Sequence, residues 1–166
     1  MDNIVEINDS RIITDILNKS FMTVALEFNF TKENAPRFAA FINSDVIEKQ
    51  FGNGLKMYGY SLNNQIVACM GYSYYKDQIY FIERVATLPE YRHLKIGRRL
   101  MEFAENKIIE NGGQIAEVHV VDKNRLLIEW YEKLRYIEIR VDEIKTFPFN
   151  SLVMNKDLID AVNNKG

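Results

Sequence analysis

The chain has 166 residues, of which 47% are hydrophobic and 27% are charged. This balance is typical of a globular protein and excludes a disordered or fibrous chain. The length is that of one domain, which we expect to span residues 1–166. The formal net charge of −2 argues against a nucleic-acid partner, because a dedicated nucleic-acid-binding protein usually has a basic surface.

Cys69 is the single cysteine, so no disulfide can form within the chain and a reducing compartment is expected. The first residues lack the basic and apolar segments of a signal peptide, and no apolar run reaches the roughly 18 residues of a membrane helix. We therefore expect a cytoplasmic protein without a membrane partner. The sequence is compatible with a homodimer. Two histidines and one cysteine without ligand-like spacing predict no metal site.

The first third of the chain predicts a short strand followed by two helices. The strand is expected at Ile4–Ile7 and the first helix from Ser10 to about Leu26. The second helix is expected from Thr31 to about Gln50, because Thr31 is a residue type that favours a helix start.

The middle of the chain predicts an antiparallel meander. Leu55–Ser61, Gln65–Tyr75 and Gln78–Thr87 are rich in Tyr, Ile, Val and Phe, which favour strands. Asn63-Asn64 and Lys76-Asp77 lie between these segments and are typical of turns.

The clearest helix follows Pro89. Apolar residues recur at spacings of three and four from Ile96 to Ile108, and Asn111-Gly112-Gly113 ends the helix. Ile115–Val121 is then expected to be a buried strand, so that strand, helix and strand form a right-handed parallel crossover. The chain continues with a helix and two strands, which we expect at Arg125–Leu134, Tyr136–Val141 and Ser151–Met154.

These elements predict an α+β fold. We expect a mixed, mostly antiparallel sheet of six to seven strands with helices on both faces. The expected element order is β-α-α-β-β-β-α-β-α-β-β.

The junction between the third strand of the meander and the long helix carries the chemical signal. A helix start exposes unpaired backbone N–H groups and the positive end of the helix dipole, which suits a phosphate group. Four cations lie here within eight residues, with no acid among them: Arg92, Lys95, Arg98 and Arg99. This concentration indicates an anion site, although a solvated helix start with ordinary surface cations explains it equally well.

Two segments carry a family resemblance. Leu88-Pro89-Glu90-Tyr91-Arg92, with Ile96-Gly97, resembles the acetyl-CoA motif of the GNAT N-acetyltransferase superfamily, which is Arg/Gln-x-x-Gly-x-Gly/Ala between a strand and a long helix. Asn124, Leu127 and Trp130-Tyr131-Glu132-Lys133-Leu134 resemble the family's Asn-x-x-Ala-x-x-aromatic-Tyr-Glu-Lys-Leu-Gly-Phe. The element order also matches, so the resemblance covers nearly the whole chain.

The end of the chain resembles one subgroup of this family. Thr146–Met154, which contains Phe147-Pro148-Phe149, resembles a Leu-Pro-Phe segment of one GNAT subgroup. Two positions depart from the family pattern, because Lys95 and Arg135 replace motif glycines. Glycine there would permit unusual backbone angles and a close approach to the pyrophosphate. We expect Lys95 to adopt a helical conformation and to supply charge, so that coenzyme binding survives.

The resemblance implies acetyl transfer from acetyl-CoA to a primary amine of a small molecule or a protein, by direct attack in a ternary complex. It implies that Tyr131 is the general acid beside the coenzyme sulfur and that Glu83 is the general base. The alternative for Tyr131 is a structural role as a core side chain next to Trp130. The alternative for Glu83 is an outward-facing side chain that pairs with Arg84. A non-catalytic acyl-CoA-binding module is the alternative function, motivated by Lys95.

The resemblance also implies the residues that hold the coenzyme. The backbone of Val85, Ala86 and Thr87 would pair with the pantetheine arm as an added strand does. Asn124 would bond to the pantetheine or cap the following helix. The pyrophosphate would be cradled by Arg92, His93, Leu94, Lys95, Ile96, Gly97 and Arg98.

The shape of the site follows from the same resemblance. The cleft would lie between strands that separate between Thr87 and Val118, and it would end at Tyr131. Four residues are candidates for the acceptor site, although aromatic side chains more often belong to the core: Glu27, Phe28, Phe147 and Phe149.

Overall fold

The computed structural model describes residues 3–164, which form seven strands and five helices. In chain order these are β1 (Ile4–Glu6), α1 (Ser10–Phe28), α2 (Ser44–Gly52), β2 (Lys56–Leu62), β3 (Gln65–Lys76), β4 (Ile79–Thr87), α3 (Ile96–Glu110), β5 (Ile115–Val121), α4 (Arg125–Lys133), β6 (Ile137–Asp142), β7 (Ser151–Asp157) and α5 (Leu158–Asn163). A short 3₁₀ turn, Pro89–Tyr91, links β4 to the loop before α3.

The strands form one sheet in the order β1-β2-β3-β4-β5-β7-β6. Neighbouring strands are antiparallel except β4 and β5, which are parallel. Because β4 and β5 run in the same direction, the chain must cross over between them, and α3 is that crossover. The predicted mixed, mostly antiparallel sheet of six to seven strands is therefore confirmed.

Helices cover both faces of the sheet. Tyr58 of β2 packs on Phe103 of α3, with the ring centroids 4.8 Å apart. Gly71 of β3 faces Met57, which directly precedes Tyr58 and therefore lies on the opposite face of the sheet. Glu83 is the register partner of Gly71 and lies on that same face. The Glu83 carboxylate accepts a hydrogen bond from the Gln50 amide of α2 at 3.4 Å. The structure thus places α2 and α3 on opposite faces, as predicted.

Two apolar clusters surround the sheet. The larger one includes the buried stripe of α3, which confirms the period of three and four read from the sequence: Ile96, Leu100, Met101, Ala104 and Ile108. The smaller cluster lies beyond the end of α1 and is largely aromatic. Phe30 and Phe38 are its buried rings, and Phe147 and Phe149 pack against them. This second cluster forms one end of the cleft described below.

The expectation of one helix from Thr31 to Gln50 is wrong. Residues 31–42 form turns, and α2 begins only at Ser44. Thr31 and Asn34 accept hydrogen bonds from each other's backbone amides at 2.8 and 3.1 Å, which closes a turn instead of a helix. Pro36 lacks an N–H group and cannot continue a helical ladder. The helix start is provided by Asn43, whose side chain accepts from the Asp45 amide.

The end of the chain holds an element that the sequence reading did not predict. Strand β7 continues to Asp157, and α5 follows it directly. The Asp157 side chain accepts hydrogen bonds from the amides of Ile159 and Asp160 and so caps this helix. Among the helices of residues 3–164, none is both long and apolar enough to span a membrane.

The end of α4 contains a strained residue at a position where the family motif has glycine. Arg135 has a φ of 73°, and the Tyr136 amide donates to the Tyr131 carbonyl at 3.0 Å. This is a left-handed helix end of the type that favours glycine. The conformation costs roughly 1–2 kcal/mol for a residue with a Cβ atom.

We expect Arg135→Gly to raise the free energy of unfolding by about 0.5–1 kcal/mol, since relief of the left-handed strain exceeds the added entropy of glycine in the unfolded chain. Urea denaturation measures this change. Arg135→Ala is the matched control, because it removes the same side chain but keeps Cβ, and it should give no such gain. Equal stability of the two variants would contradict the strain at Arg135.

Candidate active site

The site begins where β4 and β5 separate. Their parallel pairing covers Ile79–Phe81 against Ile115–Glu117 and then stops, although both strands continue. A cleft of about 1080 Å³ opens at this point, and Tyr131 is among the residues that line it. The predicted separation of strands, with Tyr131 on the cleft, is confirmed.

A bulge in β4 redirects the strand at the inner end of the cleft. Cys69 pairs with Ala86 and Gly71 with Glu83, so β4 carries one more residue than β3 between these positions. Arg84 lies in the bulge with a φ of 56°, and its carbonyl accepts from the Cys69 thiol at 3.4 Å. Burial raises the pKa of Cys69 to about 12, so this thiol is a structural group and not a nucleophile.

Beyond the bulge, one edge of β4 has no strand beside it. Ala86 and Thr87 pair with β3 on one side, while the side towards β5 is unpaired after Phe81. Val85, Ala86 and Thr87 all line the cleft. Their backbone groups on this edge can therefore accept an extended ligand as an added strand.

The loop before α3 is shaped by two residues with left-handed backbone conformations. His93 has a φ of 72° and Lys95 a φ of 60°, so the expectation of a helical Lys95 is wrong. The chain turns into α3 with a positive φ at Lys95, a conformation that favours glycine and costs a lysine roughly 1–2 kcal/mol of strain.

This loop presents a concave row of backbone donors. Within residues 3–164, none of the six amides from His93 to Arg98 donates to another protein group. They lie at the N-terminus of α3, where the helix dipole adds a partial positive charge. Successive free amides in mixed right- and left-handed conformations form an anion-binding concavity.

Arg92 braces the loop against α1. Its guanidinium donates to the Ser20 carbonyl at 2.9 Å and to the Thr23 hydroxyl at 3.2 Å. Arg92 also lines the cleft. Its established contacts are therefore with the protein, and they fix the distance between the loop and α1.

The other three cations of the loop differ in their partners. Arg98 pairs with Glu102 at 3.1 Å, and Arg99 donates to the Tyr60 hydroxyl at 2.6 Å. Lys95 forms no ion pair with any group in the described part of the chain and lines the cleft. Of the loop cations that line the cleft, Arg92 and Lys95 are therefore the two without an ion pair in the described part of the chain.

Gly97 lies in close contact with α4. A Cβ atom at this position would lie 3.2 Å from Cζ2 and 3.5 Å from Cη2 of Trp130. The Trp130 indole thus covers the first turn of α3 and ties it to α4. This contact couples the anion-binding loop to the helix that carries Tyr131.

Tyr131 lines the cleft from α4. Its side chain is buried, its ring packs edge-on against Trp130 and Tyr136, and burial raises its pKa well above the ordinary value. Its hydroxyl has no hydrogen-bond partner among residues 3–164. Asn124 Oδ1 caps α4 through the Leu127 amide at 3.3 Å, and Asn124 also lines the cleft.

Glu83 faces the cleft from β4. Its carboxylate accepts from Gln50 Nε2 at 3.4 Å, and Gln50 Oε1 accepts from Arg84 Nε at 3.1 Å. Burial raises the pKa of Glu83, an effect that the charges of Arg84 and His119 reduce in part. The site thus joins an anion-binding loop, a free strand edge, a protonated phenol and a basic carboxylate.

The comparisons with known proteins agree with this geometry. A family model described as the acetyltransferase (GNAT) family matches residues 14–136, more than half of the chain. The chain belongs to this family. As a GNAT acetyltransferase, it is an acyltransferase. No curated protein matches the chain in a comparison of sequences.

Solved structures share the GNAT fold. The ribosomal-protein-S18-alanine N-acetyltransferase from Escherichia coli has a TM-score of 0.75 at 15% identity, covering 95% of this chain and 94% of its own. The PaiA N-acetyltransferase from Thermoplasma acidophilum, in complex with coenzyme A, has a TM-score of 0.69 at 16% identity, covering 93% and 97%. An aminoglycoside 6′-N-acetyltransferase complexed with coenzyme A has a TM-score of 0.67 at 14% identity, covering 93% and 96%.

The structure brings most, but not all, of the predicted site residues of this GNAT protein into the cleft. Glu27, Phe147 and Phe149 line the cleft. Phe28 and Leu94 do not line it. Phe28 stacks on Phe30 in the aromatic cluster, and Leu94 is exposed on the outer side of the loop.

The sequence reading missed one ionisable pair in the cleft. His119 lines the cleft, and its Nε2 lies 2.9 Å from Oε1 of the buried Glu117. The available signal was the alternation of polar Glu117 and His119 with apolar residues in a buried strand, since residues two apart share a face.

The coupling of α3 to α4 through Gly97 can be tested by stability. Relative to the gain of about 0.5–1 kcal/mol that alanine brings to a helix interior, Gly97→Ala should cost stability, because its methyl group would crowd Trp130. In a Trp130→Phe background, which removes the indole atoms that crowd Gly97, the same substitution should cost less. Urea denaturation of the native protein, the two single variants and the double variant gives this coupling. Equal costs in both backgrounds would contradict the close approach.

Proposed function

We propose that this protein transfers an acetyl group from acetyl-CoA to a primary amine, by direct attack within a ternary complex. The observation that carries the proposal is the continuity of one cleft from the free amides of residues 93–98, along the unpaired edge of β4, to Tyr131. The free amides suit a diphosphate, the unpaired strand edge suits an extended arm that contains amide groups, and Tyr131 suits a sulfur atom.

The residues present fit acetyl-CoA, which supplies the activated acetyl thioester when bound. The amides from His93 to Arg98 would hold the diphosphate oxygens, with charge from Lys95. The backbone of Val85–Thr87 would bond to the arm, which carries amide groups. Asn124 would contribute its amide nitrogen while its oxygen caps α4.

Glu83 acts as the general base in this proposal. A primary amine has a pKa of about 10.4 and is protonated at neutral pH, so it must lose a proton before it can attack. The buried carboxylate of Glu83 holds a proton more readily than an exposed glutamate does, which makes it a better acceptor. Gln50 holds this carboxylate in place.

Tyr131 acts as the general acid. Its raised pKa keeps the hydroxyl protonated at neutral pH, and the sulfur gains negative charge as the C–S bond of the thioester breaks. The phenol can therefore donate its proton to the departing sulfur. Its unpartnered hydroxyl and its place on the cleft support this role.

The acceptor would enter from the end lined by Glu27, Phe147 and Phe149. The carboxylate of Glu27 would attract a cationic amine, and the aromatic rings would contact its apolar part. The Phe147-Pro148-Phe149 segment is also the basis of the predicted subgroup. The similar structures include enzymes named for a protein alanine and for an aminoglycoside, so both protein and small-molecule amines belong in a screen.

A calorimetric titration with acetyl-CoA, followed by an amine screen read by mass spectrometry, tests the proposal. With the best amine, Tyr131→Phe should lower kcat by about 100-fold, since it removes the general acid, while the coenzyme Kd changes little. The matched control is Tyr74→Phe, because Tyr74 is exposed on β3. An unchanged kcat in Tyr131→Phe would remove this residue from its role.

The pH dependence tests Glu83. The carboxylate form is the base, so kcat/KM should fall as the pH drops through the raised pKa of Glu83, above the value of about 4.3 for an ordinary glutamate. Glu83→Gln should lower kcat/KM by about 100-fold at the pH optimum and alter this acid limb. Glu129→Gln, in an exposed residue of α4 outside the cleft lining, is the control. An acid limb that persists unchanged in Glu83→Gln would contradict the assignment.

A further inference from the structure

We propose that His119, oriented by the buried Glu117, is a second proton acceptor for the substrate amine and faces Glu83 across the cleft. The inference rests on the proposed function and adds a catalytic residue to it. It also gives the pair a role that the family motifs do not describe in this sequence.

The register of the sheet places these residues. Phe81 and Glu117 are the last partners before β4 and β5 separate. Side chains two residues apart on a strand share a face, so Glu83 and His119 are the next side chains on that face of each strand. They therefore flank the cleft at the point where it opens. The two groups are close enough that the protonated form of His119 offsets part of the rise that burial causes in the pKa of Glu83.

The buried carboxylate orients the imidazole. His119 Nε2 lies 2.9 Å from Glu117 Oε1, and the Glu117 side chain is only 4% exposed. Arg140 Nη2 lies 3.8 Å from the same oxygen. Since a carboxylate only accepts hydrogen bonds, Nε2 carries the hydrogen and Nδ1 keeps its lone pair. The ring of Phe81 packs against the imidazole at 5.3 Å and limits its rotation.

The exposure of His119 suits proton release. Its side chain is 44% exposed and lines the cleft, so the imidazole contacts both the reaction space and water. Glu117 has the opposite environment and acts as a positioning residue. A carboxylate that holds a histidine fixes its tautomer and the orientation of its ring.

Two proton acceptors match the stoichiometry of amide formation. The ammonium loses one proton to Glu83, and the nitrogen lone pair then forms the C–N bond at the thioester carbon. The nitrogen still carries one proton too many, and His119 Nδ1 accepts it. As the C–S bond breaks, the sulfur takes its electron pair and the proton of Tyr131. Of the two protons lost by nitrogen, one replaces the proton of Tyr131 and one reaches solvent.

One experiment distinguishes a catalytic role of His119 and Glu117 from a purely structural role. We would measure kcat, KM for the amine and the acetyl-CoA Kd for the native protein, His119→Ala and Glu117→Gln, with Glu129→Gln as the matched carboxylate control. His119→Ala should lower kcat by about 100-fold with little change in the coenzyme Kd. Added imidazole should restore part of the rate in His119→Ala but not in Glu83→Gln, because only the first variant lacks an imidazole. Glu117→Gln should give an intermediate loss, since its amide oxygen still accepts from Nε2 but its charge is gone.

The outcomes separate the inference from the proposed function. A native protein that binds no acetyl-CoA, or releases no thiol with any amine, overturns both. A native protein that turns over while His119→Ala keeps its kcat, or loses it without rescue by imidazole, overturns the inference alone. If His119→Ala does not fold, as judged by its thermal transition, His119→Asn takes its place, and full kcat in that variant overturns the inference.

Discussion

The separation of β4 from β5 is the constraint on which the rest of the site depends. Parallel pairing ends after Phe81 and Glu117, and the bulge at Arg84 bends β4 where the gap begins. A continuous sheet would have used the backbone groups of this edge internally. The gap leaves them free for a ligand, and it separates the two strand positions that carry Glu83 and His119.

Backbone strain accompanies this geometry. Arg84, His93, Lys95 and Arg135 all have positive φ values without being glycine, and the first three lie on the cleft. Each such residue costs on the order of 1–2 kcal/mol, so packing elsewhere must hold it in place. The Trp130 indole against Gly97 and the Arg92 contacts with α1 supply that support. The loop is thus held ready for an anion before one binds.

Local patterns in the sequence predict the parts of the fold that depend on local physics. The apolar stripe of α3 follows from helical periodicity, and the three-strand meander follows from strand-forming residues between turn signals. The start of α2 could not be found in this way, because Thr31 favours a turn as readily as a helix start, and the choice depends on Asn34 and Pro36. The role of His119 depends on the register of β5 against β4, which is a contact between strands that are distant in sequence.

The most direct test of the central claim is a titration of the isotopically labelled protein with coenzyme A, observed through its backbone amide NMR signals. If the free amides before α3 bind the diphosphate, the largest shifts should fall on residues 93–98, and dephosphorylated pantetheine should not reproduce them. Shifts confined to other segments, or equal shifts with pantetheine alone, would contradict a diphosphate site at this loop.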